Sequence, residues 1–395
     1  MRKQIAFFLL LVIFLQAGCT QMSDHAETTA DNTSTDVIFE SHVLKLAPED
    51  RNQAWGYPSF VETADGYYFA KYTGQKDMIC YCPRGGDTFY PLCSKPNCSH
   101  TDEDCNASFS GWFGYYEGAI YATDYTASQD FVLIKMNLDG TDHQVVATLS
   151  HNEWDCGYSC TFHHGKLYLK YTGSVDLPFE EQQDHLVAVD LSDYSQKEIA
   201  TEYLQTARLP DFFLYYKDKL YGTGSGDKNP NAGISDYKLI ELDAVTGQTR
   251  VLLSKDIGSA YVTDTKLYYF EADLSYLSAR LGEQIEKSEP GFRELDLNSG
   301  AIKDCGLPVE DIKWACYDED YIYAGNRADK QTIYFLSRDY QLVDQIELPW
   351  KGPKPIVTSD RVFFMSSSIS PITHYLEKSE IGSHKLTLIP IETVG

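Results

Sequence analysis

Three cysteines and a histidine fall within one short run: Cys93-Ser94-Lys95-Pro96-Asn97-Cys98-Ser99-His100, closed by Cys105. Three thiolates and an imidazole form a tetrahedral zinc set, and ligands this close in sequence suit a compact knuckle. Such a centre would be structural, stapling a loop rather than turning over a substrate. A second reading uses the same residues. Cysteines outside the cytoplasm usually pair, so the three thiols would enter a disulfide knot and His100 would cap a turn. The whole chain has 10 cysteines. With Cys19 set aside the remainder is odd, so disulfides alone leave one thiol over. Assigning Cys93, Cys98 and Cys105 to a metal leaves an even set: Cys80, Cys82, Cys156, Cys160, Cys305 and Cys316. Cys156 with Cys160 would close a small loop, and Cys305 with Cys316 would bridge two repeats. Cys80 and Cys82 are two apart on a strand, so they share a face and reach different partners.

No other constellation in the sequence carries chemistry. There is no Gly-x-Ser-x-Gly elbow, no His-Glu-x-x-His pair and no phosphate-binding glycine loop. No catalytic residue is assigned. Tyr (29) and Phe (19) are abundant, which suits either stacking on sugar rings or the filling of a core. The chain has 33 Lys+Arg against 58 Asp+Glu, a formal net charge of −25. Phosphate backbones would be repelled, so nucleic acid is not an expected partner.

The elements that must position the Cys/His run emerge from repeats. One phrase, a tight polar turn followed by alternating aromatics, recurs around Tyr67, Ile120, Leu167, Leu220, Leu267, Ile322 and Val362. The spacings are 53, 47, 53, 47, 55 and 40 residues. A second phrase sits in the intervals: a strand, an Asp/Asn/Gly turn and another strand, as at Leu133–Gly140, Lys238–Gly247 and Phe292–Gly300. Glycine takes positive φ there and Asp or Asn stabilises the turn, so these stretches read as hairpins rather than calcium loops. Two hairpins per repeat make a four-stranded antiparallel blade. The fold class is therefore all-β, a seven-bladed β-propeller spanning residues 37–395, with the Cys/His run after the last strand of blade one. Two stretches interrupt the pattern. Leu274, Leu277, Leu281 and Ile285 have helical spacing and predict a small helical insertion over 273–287. Residues 222–236, rich in Gly, Asp and Asn, predict a loop in blade four. Residues 37–46 and a segment around 385–391 are expected either to complete the last blade together or, for 37–46, to cap the ring.

The first residues address the chain. Arg2 and Lys3 precede an apolar run from Ile5 to Leu15, too short for a membrane span. Gln16-Ala17-Gly18-Cys19 comes next and resembles the lipobox of bacterial lipoproteins, with Gln16 where that motif usually has Leu. The resemblance implies a signal peptide over 1–18 and an acylated (palmitate-bearing) Cys19. Losing Arg2 and Lys3 with that peptide takes the charge from −25 to −27. Residues 19–36 are rich in Thr, Ser, Asp and Asn, a flexible tether. The expected location is the cell membrane, lipid-anchored and facing outside the cytoplasm.

The run Pro91-Leu92-Cys93, Pro96-Asn97-Cys98, His100, Cys105-Asn106-Ala107, with the Lys-Leu-Tyr hairpin phrases, resembles one shared by many uncharacterised bacterial lipoproteins. The resemblance spans the mature chain and implies a propeller on the cell surface, without implying an activity. The expected function is a non-catalytic module binding an unidentified protein or glycan. The alternatives are a surface enzyme acting on glycan or peptide and a scaffold for envelope assembly.

Overall fold

The computed structural model describes residues 60–394 except 73–75, 94, 101–104, 129, 151–155, 174–176, 179–180, 204–210, 218, 226–236, 256, 272–289, 327–330 and 368–370. The expected signal peptide, the expected tether, the 37–46 segment and the helix expected at 273–287 lie outside these residues.

Blade one comprises β1 (Phe60–Glu62), β2 (Gly66–Tyr72), β3 (Asp77–Pro83), β4 (Thr88–Pro91) and β5 (Ser108–Phe109). Blade two is β6 (Phe113–Tyr116), β7 (Ala119–Tyr125), β8 (Phe131–Met136) and β9 (Gln144–Ser150). Blade three is β10 (Cys156–His163), β11 (Lys166–Gly173), β12 (Gln183–Asp190) and β13 (Gln196–Tyr203). Blade four is β14 (Asp211–Tyr216), β15 (Lys219–Ser225), β16 (Tyr237–Asp243) and β17 (Thr249–Leu253). Blade five is β18 (Ile257–Val262), β19 (Lys266–Glu271), β20 (Gly291–Asp296) and β21 (Ile302–Asp304). Blade six is β22 (Trp314–Tyr317), β23 (Tyr321–Gly325), β24 (Thr332–Ser337) and β25 (Leu342–Glu347). Blade seven is β26 (Ile356–Val357), β27 (Arg361–Met365), β28 (Ile372–Glu377) and β29 (Ile389–Pro390), and β30 (Glu392–Thr393) comes after it. Among the described residues the only helix is a 3-10 turn, Lys378–Glu380.

Within each of the seven blades the pairing is antiparallel, and the anchor of every sequence repeat falls in the second strand of its blade. Consecutive apolar or aromatic residues open most of those strands, because both faces are covered there. In β11, Leu167 and Leu169 face blade two with Trp112, Tyr121 and Phe162. Tyr168, between them, faces blade four with Leu220 and Leu242. Separate clusters fill the seams four/five, five/six and six/seven. One large cluster joins blade one to both blade two (Phe113, Ile120) and blade seven (Ile356, Phe363), which closes the ring. Each fully buried side chain of this size contributes about 1.5–3 kcal/mol, so the seams hold most of the stability.

The loop expected over 222–236 begins later than its composition suggests. Gly222, Thr223, Gly224 and Ser225 pair in register with Ile240, Leu239, Lys238 and Tyr237. A ladder with a firm neighbour overrides the weak strand preference of glycine. Ring closure is also specific. β29 completes blade seven, and one residue later β30 pairs in parallel with β4 of blade one. The amides of Glu392 and Val394 donate to the carbonyls of Asp87 and Phe89 at 3.0 Å.

A polar latch reinforces that seam. Glu62, at the end of β1, accepts from the Ser359 amide at 3.0 Å and from its hydroxyl. Arg84 pairs with Glu62 at 3.1 Å and with Asp360 at 2.8 Å, and the Tyr67 hydroxyl donates to Asp360 at 2.6 Å. The six/seven seam has its own: Lys378 meets Asp318 and Asp320 at 2.9 Å each.

Candidate metal centre

The fourth strand of blade one is split. β4 pairs with the second half of β3 (Cys80↔Pro91, Tyr81↔Tyr90), and β5 pairs with its first half (Asp77↔Phe109, Met78↔Ser108). The excursion between them is the Cys/His run. Its two flanks meet on one residue: the Leu92 amide donates to Ile79 O and the Ile79 amide donates to Ala107 O, both at 2.8 Å. The knuckle therefore starts and finishes at the same rung of β3.

Within it the chain turns tightly. Pro96 presets a turn, and the Cys98 amide donates to Lys95 O at 3.3 Å. Asn97 and His100 take φ of 60° and 56°. Asn tolerates this left-handed region; for His100 it is an unusual conformation that the fold imposes. The outcome is convergence: one ligand atom from each of Cys93, Cys98, His100 and Cys105 lies within 4.8 Å of the other three. Cys105 Sγ and His100 Nδ1 are 3.6 Å apart. Sulfurs at zinc distance on a tetrahedron stand about 3.8 Å from one another, so a small contraction seats the ion. Cys105 is buried and the other three are half-buried.

The thiols differ in character. Burial pushes Cys105 up to about 12, with the neighbouring sulfurs of Cys93 and Cys98 adding to the effect. Cys93 moves the other way: burial raises it, but the amides of Lys95 and Asn106 and its sulfur neighbours outweigh that and favour the thiolate. Cys80 and Cys316, by contrast, are pushed up to about 12 chiefly by burial, as expected of inert core thiols.

The site also touches blade two. Asn106 Nδ2 donates to Gly140 O at 3.4 Å, and the Tyr68 hydroxyl donates to Leu138 O at 3.0 Å. Gly140, at φ 76°, lies so close that a Cβ there would stand 2.4 Å from Leu92 O. Cys93 and Cys98 pack on the cluster that includes Phe89, Phe109 and Ile391.

The four residues singled out as one metal set are thus brought together. The suggested Cys305–Cys316 pair is not. Cys80, Cys82, Cys93, Cys98, Cys105, Cys160, Cys305 and Cys316 are all free thiols. Cys316 lies in the six/seven cluster beside Trp314. Cys305 packs in the five/six cluster beside Tyr317. They face opposite sides of blade six, so proximity in sequence does not bring the sulfurs together. The Cys156 side chain lies outside the described residues; Cys160 packs in the two/three seam. Cys80 and Cys82 share a face, as strand alternation requires, and both are buried in blade one's cluster.

The acids that sequence alone could not rank now have roles. Asp139, Asp190, Asp243 and Asp296 accept hydrogen bonds within their own turns, from Thr141, Ser192, Thr246 and Ser299 among others. Those bonds hold all four below the usual carboxylate range. Among the buried acids described, Glu62, Asp184, Glu241, Glu271 and Asp318 each sit against a Lys or Arg, while Asp344 accepts from the amides of Gln345, Gly382 and His384. Sequence reading missed these cations, since nothing local marks a lysine such as Lys378 as buried.

Comparison with known proteins supports the architecture alone. No protein-family model matches the chain, and no curated protein matches it. Among solved structures, a prolyl endopeptidase is similar with TM-score 0.57 at 11% identity, covering 84% of this chain and 49% of that one. The chain thus spans about half the length of that enzyme. An oligogalacturonate lyase in complex with manganese is similar with TM-score 0.51 at 12% identity, covering 84% and 87%. BamB from Moraxella catarrhalis scores 0.43 at 13% identity, covering 80% and 93%. The chain shares a propeller fold with the first two.

Proposed function

We propose that this chain is a lipid-anchored, extracytoplasmic propeller that works as a binding module, with a structural zinc ion in the Cys93/Cys98/His100/Cys105 knuckle. The observation that carries the metal reading is the convergence of four protein ligands on one point. Four protein donors complete a tetrahedron and leave no position for a substrate or an activated water, which is the pattern of a structural site. The binding role is favoured over catalysis by the fate of the buried acids. Five of the six buried acids described are committed to a Lys or Arg, and the sixth, Asp344, to the amides of Gln345, Gly382 and His384, so each already has a structural role. The expected ligand is a protein or a glycan, met by the broad face of the ring. A surface enzyme acting on glycan or peptide remains the second reading, and the likeness to an oligogalacturonate lyase is one of fold. A scaffold in envelope assembly is the third.

The anchor and the metal are tested separately. Exchanging Cys19 for Ser is expected to move the protein from the membrane fraction to the soluble one, and intact-mass measurement should lose the acyl chains. An unacylated wild-type protein would refute the anchor. Metal analysis of purified protein should give one zinc per chain, abolished by Cys98→Ser. Binding is read by thermal shift over glycans and peptides; a folded protein with no shift across both sets speaks against a small-ligand module.

A further inference from the structure

We infer that metal occupancy of the knuckle controls closure of the ring, by fixing the one strand on which the last strand docks. The inference rests on the zinc reading above. β4 has four residues and two jobs. Tyr90 and Pro91 pair with β3, while Thr88 and Phe89 pair with β30. Pro91 has no N–H, so the pairing with β3 is thin. The position of β4 therefore depends on the residues just beyond it. Leu92 bonds Ile79, and Cys93, the first ligand, comes next, its amide donating to Pro91 O at 2.8 Å. The last ligand, Cys105, precedes Ala107, which bonds the other side of Ile79. An ion bridging Cys93 to Cys105 closes this loop covalently and holds β4 against β3. Without it the loop is free to open, and the entropy gained opposes the docked arrangement.

The path onward to closure is contiguous. Phe89 on β4 is fully buried, and Ile391, between β29 and β30, is buried in the same cluster. Cys105 and Ala107 belong to that cluster, and Cys93 and Cys98 pack on it. The amides of Glu392 and Val394 then bond the carbonyls of Asp87 and Phe89. The knuckle, β4 and Ile391 share one cluster and β30 pairs with β4, so the state of an ion held in the knuckle would reach the seam between blades one and seven. Among the described residues, blade four shares no packing cluster with the knuckle.

Coupling of this kind is reciprocal: if zinc stabilises the docked β30, docking of β30 tightens zinc by the same factor. Two measurements on the full chain test it. Hydrogen exchange is followed at the Glu392 and Val394 amides in zinc-loaded and chelator-stripped protein, with zinc content measured on both samples. Protection there is expected to fall roughly tenfold on stripping while blade-four amides hold. Unchanged protection with stoichiometric zinc overturns the coupling and leaves the metal reading standing. Equal loss in every blade also overturns it, because the ion would then support the fold at large. Absence of zinc from the loaded sample removes the metal reading and the coupling with it. In the reverse direction, Glu392→Pro deletes the donor to Asp87 O. It is expected to weaken zinc roughly tenfold in a competition titration against a chelator. Lys303→Pro on β21, at an exposed edge of blade five, serves as control. Equal zinc affinity in Glu392→Pro and wild type overturns the coupling.

Discussion

Replacing Gly140 by Ala isolates the contact between the knuckle and blade two. Gly140 ends the β8–β9 turn at φ 76°. A residue with a Cβ pays about 1–2 kcal/mol in that region. An ideal Cβ would also stand 2.4 Å from Leu92 O and 3.1 Å from Leu92 Cγ. The oxygen belongs to the backbone of a residue whose amide bonds Ile79, so relief requires moving the start of the knuckle. Overpacking of this kind adds about 1–3 kcal/mol, for a total of about 2–5. Gly300 ends the equivalent turn of blade five at φ 73°, with nothing within 4 Å of its Cβ, so Gly300→Ala meets the backbone cost alone. The difference of about 1–3 kcal/mol is measurable from urea midpoints if the m-values agree. Gly140→Ala should also weaken zinc, whereas Gly300→Ala should not. Equal destabilisation by the two substitutions would refute the packing of the turn against Leu92.

Other outcomes concern the seams. Lys378→Met leaves Asp318, buried at 3% exposure, without a cation. Asp318 keeps the amides of Asp320 and Tyr321 and the Tyr323 hydroxyl, so the expected loss is about 2–3 kcal/mol. Adding Asp318→Asn should recover part of it in a double-mutant cycle by denaturation. At the one/seven seam burial raises Asp360, but the Tyr67 hydroxyl and Arg84 outweigh it and hold the carboxyl below the usual range. A depressed folded value means stability that is fully present above the unfolded value, about 3.9, and is lost as pH falls through the folded one. The gap between wild type and Asp360→Asn should therefore be greatest near neutrality and close in acid; a gap that widens in acid would contradict the latch. Finally, zinc should shield Cys93, Cys98 and Cys105 from alkylation in the native protein, and a chelator should expose them, as peptide mass analysis will read.

The ring was legible because its signal is repeated. The hairpin phrase occurs in each of the seven blades, and its apolar run reflects burial on both faces of the second strand. The Cys93/Cys98/His100/Cys105 cluster was legible because its members are close in sequence, so few backbone paths separate them. The features that sequence could not reveal depend on partners far along the chain. β30 has two residues and no pattern of its own; its identity as a strand comes from β4, some 300 positions earlier. Cys305 and Cys316 are neighbours in sequence, yet the strand alternation of β22 puts Cys316 with Trp314 on one face and Tyr317 on the other. Arg84, Lys378 and Arg361 look like ordinary surface cations until Glu62, Asp318 and Glu377 are placed beside them.

The single residue Ile391 leads from β29 on blade seven to β30 on blade one. Consider a pull that parts blade one from blade seven. At β1 it meets Glu62, which grips Ser359 of blade seven. It cannot lift blade one away without also drawing on β4, to which blade seven is fastened by β30. Two grips, at the first strand and at the fourth, hold opposite edges of the blade across the same seam. They share the load, so blade one peels from the ring only when both let go together.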